Sequence, residues 1–176
     1  MMHLFDFKHK RIVWLAGILL FCGHLNAQPS LTKEQKLKSA YLLNFTRYIS
    51  WPERAESEPH ATFQLCLQGS SPILDFMQEL IAVSAVKNHR PKVQVSIIEQ
   101  AQQCHLSYIQ TELSRPFSVL SGSLIVADSK QLSQPGTAIT FFTEARKLRF
   151  EIDLQVIQAS DFIVSSELLK LARIKL

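Results

Sequence analysis

The amino-acid sequence predicts a single three-layer α/β domain, with a mostly parallel sheet flanked by helices and a C-terminal antiparallel hairpin. Two observations carry this prediction. Between residues 62 and 129, short apolar runs alternate with segments of helical periodicity, which is typical of a parallel sheet covered on both faces. After Pro135-Gly136 the rhythm changes to two alternating runs joined by a short turn, which is typical of a hairpin.

The first 27 residues have the pattern of an export signal. Three basic residues over 8–11 precede an apolar stretch over 12–22 that is too short to span a bilayer, and a cleavage site of small residues ends at Ala27. We therefore expect cleavage after Ala27 and a periplasmic mature chain over 28–176, which removes 27 of 176 residues and leaves 149, the size of one domain. An uncleaved N-terminal anchor is the alternative, because Leu25 is larger than the residue preferred there.

The charge balance argues against nucleic acid as a partner. The whole chain has a formal net charge of +4, and the signal contributes three basic residues and one acidic residue, so the mature chain carries +2. The mature part has no basic run and no interleaving of aromatic with basic residues, which are the features of nucleic-acid-binding surfaces.

The longest helical pattern covers residues 37–52. Thr32 followed three positions later by Gln35 forms a capping box at its start, and Pro52 disfavours the helical conformation at Trp51, so the helix is expected to end there. At 100° per residue one arc, mostly apolar and expected to lie on the sheet, contains Leu37, Ala40, Tyr41, Asn44, Phe45 and Tyr48, and is widened by Leu42 and Ile49. Facing away from it are Ser39, Thr46 and Arg47.

The remaining elements follow in order. Four strands are expected over 62–68, 92–98, 104–109 and 123–127, with helices starting at Pro72 and covering 112–120. The hairpin strands cover 138–143 and 148–154, and a last helix contains Leu168, Leu169, Leu171 and Ala172. Alternation along the second hairpin strand directs Leu148, Phe150, Ile152 and Leu154 inward. The outward face is therefore shared by Arg149, Glu151 and Asp153.

The mature chain contains two cysteines, Cys66 and Cys104. In an oxidising compartment such a pair is most simply a disulfide, and closing a loop of about 39 residues stabilises the fold by roughly 4 kcal/mol. Two buried free thiols are the alternative, because each cysteine lies in an apolar run. No metal site is expected, since two cysteines without suitably spaced histidines do not complete a set of four ligands.

No arrangement of residues points to catalysis. The mature histidines are His60, His89 and His105, and none follows a pattern that places it beside an acid or a serine. Glu151 and Asp153 share one strand face, but a solvated face explains them better than an acid pair does. The sequence therefore predicts a binding protein without enzymatic activity or a cofactor.

A small-ligand crevice is predicted at the carboxyl ends of the strands. Ligands of open α/β sheets bind there, and the ends carry Gly69, Ser70, Ser71, Asp128 and Ser129. Backbone amides after Gly69 are suited to an anion. A periplasmic small-molecule binding module that serves a sensor kinase or an uptake system is therefore the alternative function.

Short pieces spread over nearly all of the mature chain, in order and at matching spacing, resemble the YfiR family of small periplasmic proteins. The pieces are residues 38–45, Trp51-Pro52, Leu65-Cys66-Leu67 with Gly69 and Pro72, Cys104-His105, Leu124 to Asp128, Gly136 with Ile139 and Phe141, Arg149 to Leu154, and 163–172 around Ser165, Ser166, Leu168, Leu169 and Leu171.

The resemblance implies a repressor that binds the periplasmic domain of an inner-membrane diguanylate cyclase, keeping cyclic di-GMP low and controlling biofilm formation. It also implies sequestration by an outer-membrane lipoprotein, a homodimer, and a stabilising disulfide between Cys66 and Cys104. Departures from the family concern Asp153, where the family usually has Asn, and Ser70 and Ser71, which replace residues that are often acidic. A second disulfide of some members has no counterpart here.

The sequence suggests two surfaces for the protein partner. The first is the segment from Trp51 to His60, and the second is the outward hairpin face with Arg149, Glu151 and Asp153.

Overall fold

In the part of the chain that the structure describes, seven strands form one sheet and two short strands form a separate ribbon. The computed structural model describes residues 30–51, 62–69, 72–85, 92–101, 103–112 and 122–176. Within it, Leu31–Leu176 make one compact unit. The expected signal with cleavage after Ala27 and the helix expected over 112–120 lie outside the described residues, apart from Glu112.

The strands are β1 (Ile49–Ser50), β2 (Phe63–Leu67), β3 (Val93–Ile97), β4 (Leu106–Ile109), β5 (Leu124–Ala127), β6 (Ile139–Glu144), β7 (Lys147–Asp153), β8 (Ile163–Val164) and β9 (Arg173–Lys175). The helices are α1 (Lys33–Tyr48), α2 (Pro72–Ala85), α3 (Leu154–Gln158) and α4 (Ser166–Leu169), and 3₁₀ turns cover Ile98–Gln100 and Lys130–Leu132.

The sheet order is β3-β2-β4-β5-β6-β7-β9. The first five strands of this order are parallel, β7 pairs antiparallel with β6, and β9 runs parallel to β7. Together with the flanking helices, this arrangement confirms the predicted fold class of a mostly parallel α/β sheet with an antiparallel hairpin. The chain leaves β2 toward β3 and then crosses to β4 on the other side of β2, so the order reverses between β2 and β4.

Helix α1 begins as its sequence predicts and ends earlier. Thr32 Oγ1 accepts the Gln35 amide at 3.1 Å, and Gln35 Oε1 accepts the Thr32 amide at 2.9 Å, which completes the capping box. The helix ends at Tyr48 because Ile49 and Ser50 are extended and pair with β8. Tertiary pairing therefore stops the helix three residues before the position that Pro52 alone would set.

The buried face of α1 is rotated from the predicted arc. Leu37 is 45% exposed, whereas Ser39 and Thr46 are buried. Their hydroxyls donate to carbonyls of their own helix, Ser39 Oγ to Gln35 O at 2.9 Å and Thr46 Oγ1 to Leu43 O at 2.8 Å. A hydroxyl that is satisfied within its own helix can be buried at little cost, which a count of apolar residues does not detect.

Aromatic packing joins α1 to the hairpin. The Phe45 ring lies 5.3 Å from the Phe150 ring and 6.0 Å from the Phe141 ring, centroid to centroid, and all three rings are buried. Ile73 and Met77 of α2 belong to the same core. A smaller apolar cluster of Ile109 and Ile125 with Ile98 lies apart from it.

The C terminus differs from the prediction of a longer final helix. Helix α4 ends at Leu169, Leu171 is exposed, and Arg173–Lys175 form β9 along the edge of β7. Backbone groups of β7 would otherwise be unpaired at this edge, and β9 satisfies them. Among the described residues no helix is long and apolar enough to cross a membrane.

The rotated α1 face predicts a contrast between two of its apolar residues. Phe45→Ala should lower the free energy of unfolding by about 3–5 kcal/mol, because it empties a site among buried rings. Leu37→Ala, the matched change on the exposed side, should change it by less than about 0.5 kcal/mol. Urea unfolding of residues 28–176 measures both changes. Equal losses for the two variants would show that Leu37 is as buried as Phe45, as the predicted arc requires.

Candidate functional site

The predicted crevice residues lie at the same edge of the sheet but on separate strands. Gly69 follows β2 with a positive φ of 67°, and Asp128 and Ser129 follow β5. Strand β4 lies between β2 and β5, so the two ends are separated by two strand spacings, or roughly 10 Å. Ser70 and Ser71 lie outside the described residues.

The gap between the ends of β2 and β4, where the strand order reverses, is bridged by Gln68. Its Oε1 accepts the backbone amides of Gln110 and Thr111 at 3.0 and 2.9 Å. Its Nε2 donates to the Glu112 carbonyl at 3.3 Å, and its own carbonyl accepts Gln110 Nε2 at 3.1 Å. Ligands of such sheets usually bind at this position. Here two backbone amides that face it are bound by a side chain of the protein instead.

Asp128 is held from two sides. Lys38 Nζ of α1 donates to Asp128 Oδ1 at 2.8 Å and to the Asp128 carbonyl at 3.1 Å. Tyr108 of β4 donates its hydroxyl to the same Oδ1. The carboxylate predicted for a ligand therefore connects α1 to the carboxyl edge of the sheet.

Lys38 is the least expected member of this cluster. Its side chain is 6% exposed, while Asp128 is 30% exposed, and Glu34 at the preceding turn of α1 adds a second carboxylate 2.9 Å from Nζ. The Phe141 centroid lies 5.9 Å from the same ammonium. A buried lysine needs such partners. No spacing rule links residue 38 to residue 128, so the sequence alone could not reveal the pair.

Burial, followed by the charge of Asp128 and the hydrogen bond to it, raises the pKa of Tyr108. Its hydroxyl therefore remains a protonated donor. Because Tyr108 is completely buried, the Asp128 carboxylate is its route to a satisfied hydrogen bond.

The outward-facing side chains of β6, β7 and β9 form what we call the outer hairpin face. It contains Thr140, Phe142, Glu144, Lys147, Arg149, Glu151, Asp153, Arg173 and Lys175. Lys130 reaches this face from its 3₁₀ turn, and its Nζ lies 3.6 Å from Glu151 Oε2. Arg173 pairs with Glu144, and Lys175 Nζ lies 2.9 Å from Asp153 Oδ2.

The three residues predicted for this face have different surroundings. Arg149 is exposed, whereas Glu151 and Asp153 are only partly so. Asp153 Oδ1 also accepts the first free amides of α3, from Gln155 at 3.1 Å and Val156 at 3.2 Å. Desolvation alone would raise the pKa of Asp153, but the hydrogen bonds from Lys175 and from these amides outweigh it, so its pKa lies below the usual range.

Trp51 is buried, whereas a residue of a partner-binding surface would be exposed. Its side chain is 8% exposed and packs edge-on against Phe63 and Phe162, with centroids 4.6 and 5.1 Å away. Its indole Nε1 is buried and has no hydrogen-bond partner among the described residues. The ribbon of β1 and β8 holds it in the core, and the rest of the predicted surface segment, 52–60, lies outside the described residues.

Cys66 and Cys104 are joined by a disulfide, as the sequence predicts, with Cα atoms 5.7 Å apart. The bond ties the middle of β2 to the residues before β4. The next residue, His105, stacks on Phe63 at 5.1 Å and accepts the Gln64 amide on Nδ1 at 2.8 Å. Burial lowers the pKa of His105, so the neutral ring that this bond requires is favoured.

The family described as YfiR/HmsC-like matches residues 35–173, which include all of the seven-stranded sheet except its last two residues. The chain belongs to the YfiR/HmsC-like family. No curated protein matches it. Membership fits a periplasmic regulator of cyclic di-GMP signalling in general, and the family is regulatory rather than catalytic. Among the described residues no group of three His, Cys, Asp or Glu could hold a metal ion.

The cluster around Asp128 predicts a non-additive response in this YfiR/HmsC-like protein. Asp128→Ala should cost about 3 kcal/mol of unfolding free energy, because it leaves a buried ammonium and the Tyr108 hydroxyl poorly paired. Adding Lys38→Met should recover part of that loss, since it removes the stranded charge. Glu34→Ala is the control, with an effect below about 1 kcal/mol. A double-mutant cycle by urea unfolding measures the coupling, and strict additivity would contradict it.

His105 predicts a loss of stability on mild acidification. Its folded pKa lies below that of the unfolded chain, so the unfolded state takes up the proton first and the free energy of unfolding falls as pH drops below about 6.5. His105→Asn keeps an acceptor near the Nδ1 position without titrating there. Unfolding at pH values between about 7.5 and 5.5 should therefore show a steeper decline for wild type than for the variant. An equally steep decline of the free energy of unfolding in the wild type and the variant would contradict the assignment of this pH dependence to His105.

Proposed function

We propose that this YfiR/HmsC-like chain is a periplasmic regulator that binds the periplasmic domain of an inner-membrane diguanylate cyclase and represses it. Repression keeps cyclic di-GMP low and limits biofilm formation. The observation that carries the proposal is the family match over 35–173, which spans nearly the entire described fold. An outer-membrane lipoprotein that sequesters the repressor, and a homodimer, belong to the same proposal.

Two features of the site support a protein partner over a small ligand. Among the described residues of the carboxyl edge, the amides of Gln110 and Thr111 and the Asp128 carboxylate are engaged within the protein, by Gln68 and by Lys38. The outer hairpin face is in contrast broad, charged and accessible at Arg149, Lys147, Lys175 and Arg173. Protein surfaces are recognised through such arrays of charge.

The disulfide is part of this proposal, because it stabilises the half of the sheet that contains β2 and β4. Losing a bond of this kind typically costs about 2–5 kcal/mol in a small exported domain. Such a loss lowers the amount of folded repressor in the periplasm.

Cellular cyclic di-GMP tests the proposal. A strain that lacks the gene should contain more cyclic di-GMP than its parent, wild type should restore the low level, and Cys66→Ser should restore it poorly. Ser96→Ala, a small change beside Cys66 on the neighbouring strand β3, is the control and should complement like wild type. An unchanged level in the deletion strain, under conditions that express the gene, would contradict the proposal. A small molecule that co-purifies with the protein would then favour a ligand-binding module.

A further inference from the structure

The outer hairpin face carries a surplus of positive charge. Together with Lys130 and the turn that joins β6 to β7, it has six basic residues against three acidic ones, a balance of +3 within an expected mature chain of +2. Each acidic residue is already paired with a cation, Glu144 with Arg173, Glu151 with Lys130, and Asp153 with Lys175. Three basic residues make no ion pair within the described part of the chain: Arg146, Lys147 and Arg149.

These three residues cluster at one end of the hairpin, which we call the basic tip. Lys147 lies opposite Glu144 and Arg149 opposite Phe142, while Arg146 is in the turn. All three are exposed. The tip is therefore an accessible group of cations whose charge is not neutralised by the ladder of ion pairs beside it.

The turn itself is strained. It has two residues, Ala145 and Arg146, and both have positive φ angles, of 47° and 61°. Turns of this geometry favour Asn and Gly, because other residues in the left-handed region cost roughly 1–2 kcal/mol. Backbone strain that persists at an exposed position indicates that the side chain displayed there has a function.

We infer that the basic tip docks an acidic surface of the protein partner. The inference rests on the proposed function and adds the chemistry of recognition, which is complementarity between three cations and carboxylates of the partner. Apolar contact contributes little here, since Phe142 is already covered by Arg173 at 4.2 Å and by Lys130 at 4.9 Å from its centroid.

The pattern of charge favours a protein over an anionic membrane. Lipid headgroups attract uninterrupted clusters of about four to eight basic residues. This face instead places Glu144, Glu151 and Asp153 among its cations. A uniformly negative bilayer would repel these carboxylates, whereas a folded partner can match a mixed pattern residue by residue.

The central experiment reverses the charge of the tip in the full chain. The variant Arg146→Glu/Lys147→Glu/Arg149→Glu is compared with Lys33→Glu/Lys92→Glu/Lys170→Glu, which changes the net charge equally at exposed sites elsewhere. Each replaces wild type in the deletion strain, and cyclic di-GMP is measured. The tip variant should weaken repression about tenfold or more, because cations that meet carboxylates become repulsive. The control variant should repress like wild type.

The outcomes separate the inference from the proposed function. If wild type represses and the tip variant represses equally well, the inference fails and the proposed function stands. If the two variants fail alike, net charge rather than the tip matters, and the inference also fails. If wild type itself does not repress, the proposed function fails and the inference falls with it.

Two single substitutions exclude misfolding as the cause. Arg146→Gly relieves the turn and removes one cation, so it should raise the thermal unfolding midpoint and weaken repression. Ala145→Gly relieves the same turn without removing charge, so it should raise the midpoint and leave repression intact. Loss of repression in both would assign the effect to the turn conformation and overturn the docking role.

Vesicles of phosphatidylglycerol test the alternative surface. Wild type and the tip variant should sediment with them equally little at physiological salt. Binding of wild type alone would identify a lipid site and overturn the inference of a protein partner.

Discussion

The contact of α1 with the hairpin is the interaction on which the rest of the fold depends. Phe45 packs against Phe141 and Phe150, so the first described helix covers strands that lie about 100 residues later in the sequence. Through Lys38 and Asp128 the same helix is fixed at the carboxyl edge. Burial of large aromatic surface stabilises this contact, whereas a buried ion pair by itself is weak evidence of stability.

This contact also determines which surfaces are available. Because α1 occupies the core face of the hairpin, the opposite face of β6, β7 and β9 is the one that carries charge. At the carboxyl edge, Gln68 and Lys38 engage groups that related folds use for ligands. The described polar groups at the carboxyl edge of this α/β sheet are thus engaged within the chain itself.

The sequence predicted the elements whose signals are local. Strands β2 to β5, the hairpin, the capping box of α1 and the disulfide partners all follow from patterns within a few residues or from the pair of cysteines in the expected mature chain. The features that it missed depend on pairing between distant segments. Helix α1 ends at Tyr48 because Ile49 pairs with β8. Strand β9 replaces the end of the predicted last helix because it pairs with the edge of β7.

Polar residues in the core explain the remaining differences. Ser39 and Thr46 are buried because each hydroxyl is satisfied by its own helix, and Lys38 is buried because Asp128 meets it. A scale that ranks residues by polarity places all three in solvent. Trp51 shows the converse, since the end of a predicted helix suggests a surface position and two aromatic rings instead enclose the residue.

The position of the disulfide has a consequence for the order of folding. It joins β2 to Cys104, which lies two residues before the neighbouring strand β4 and 38 residues along the chain, whereas α1 and β1 contact segments about 100 residues later. Contacts of short sequence separation form before distant ones, because less loop entropy is lost. We therefore expect the two thiols to meet before β1 pairs with β8, and their oxidation then holds β2 beside β4 while the distant segments assemble.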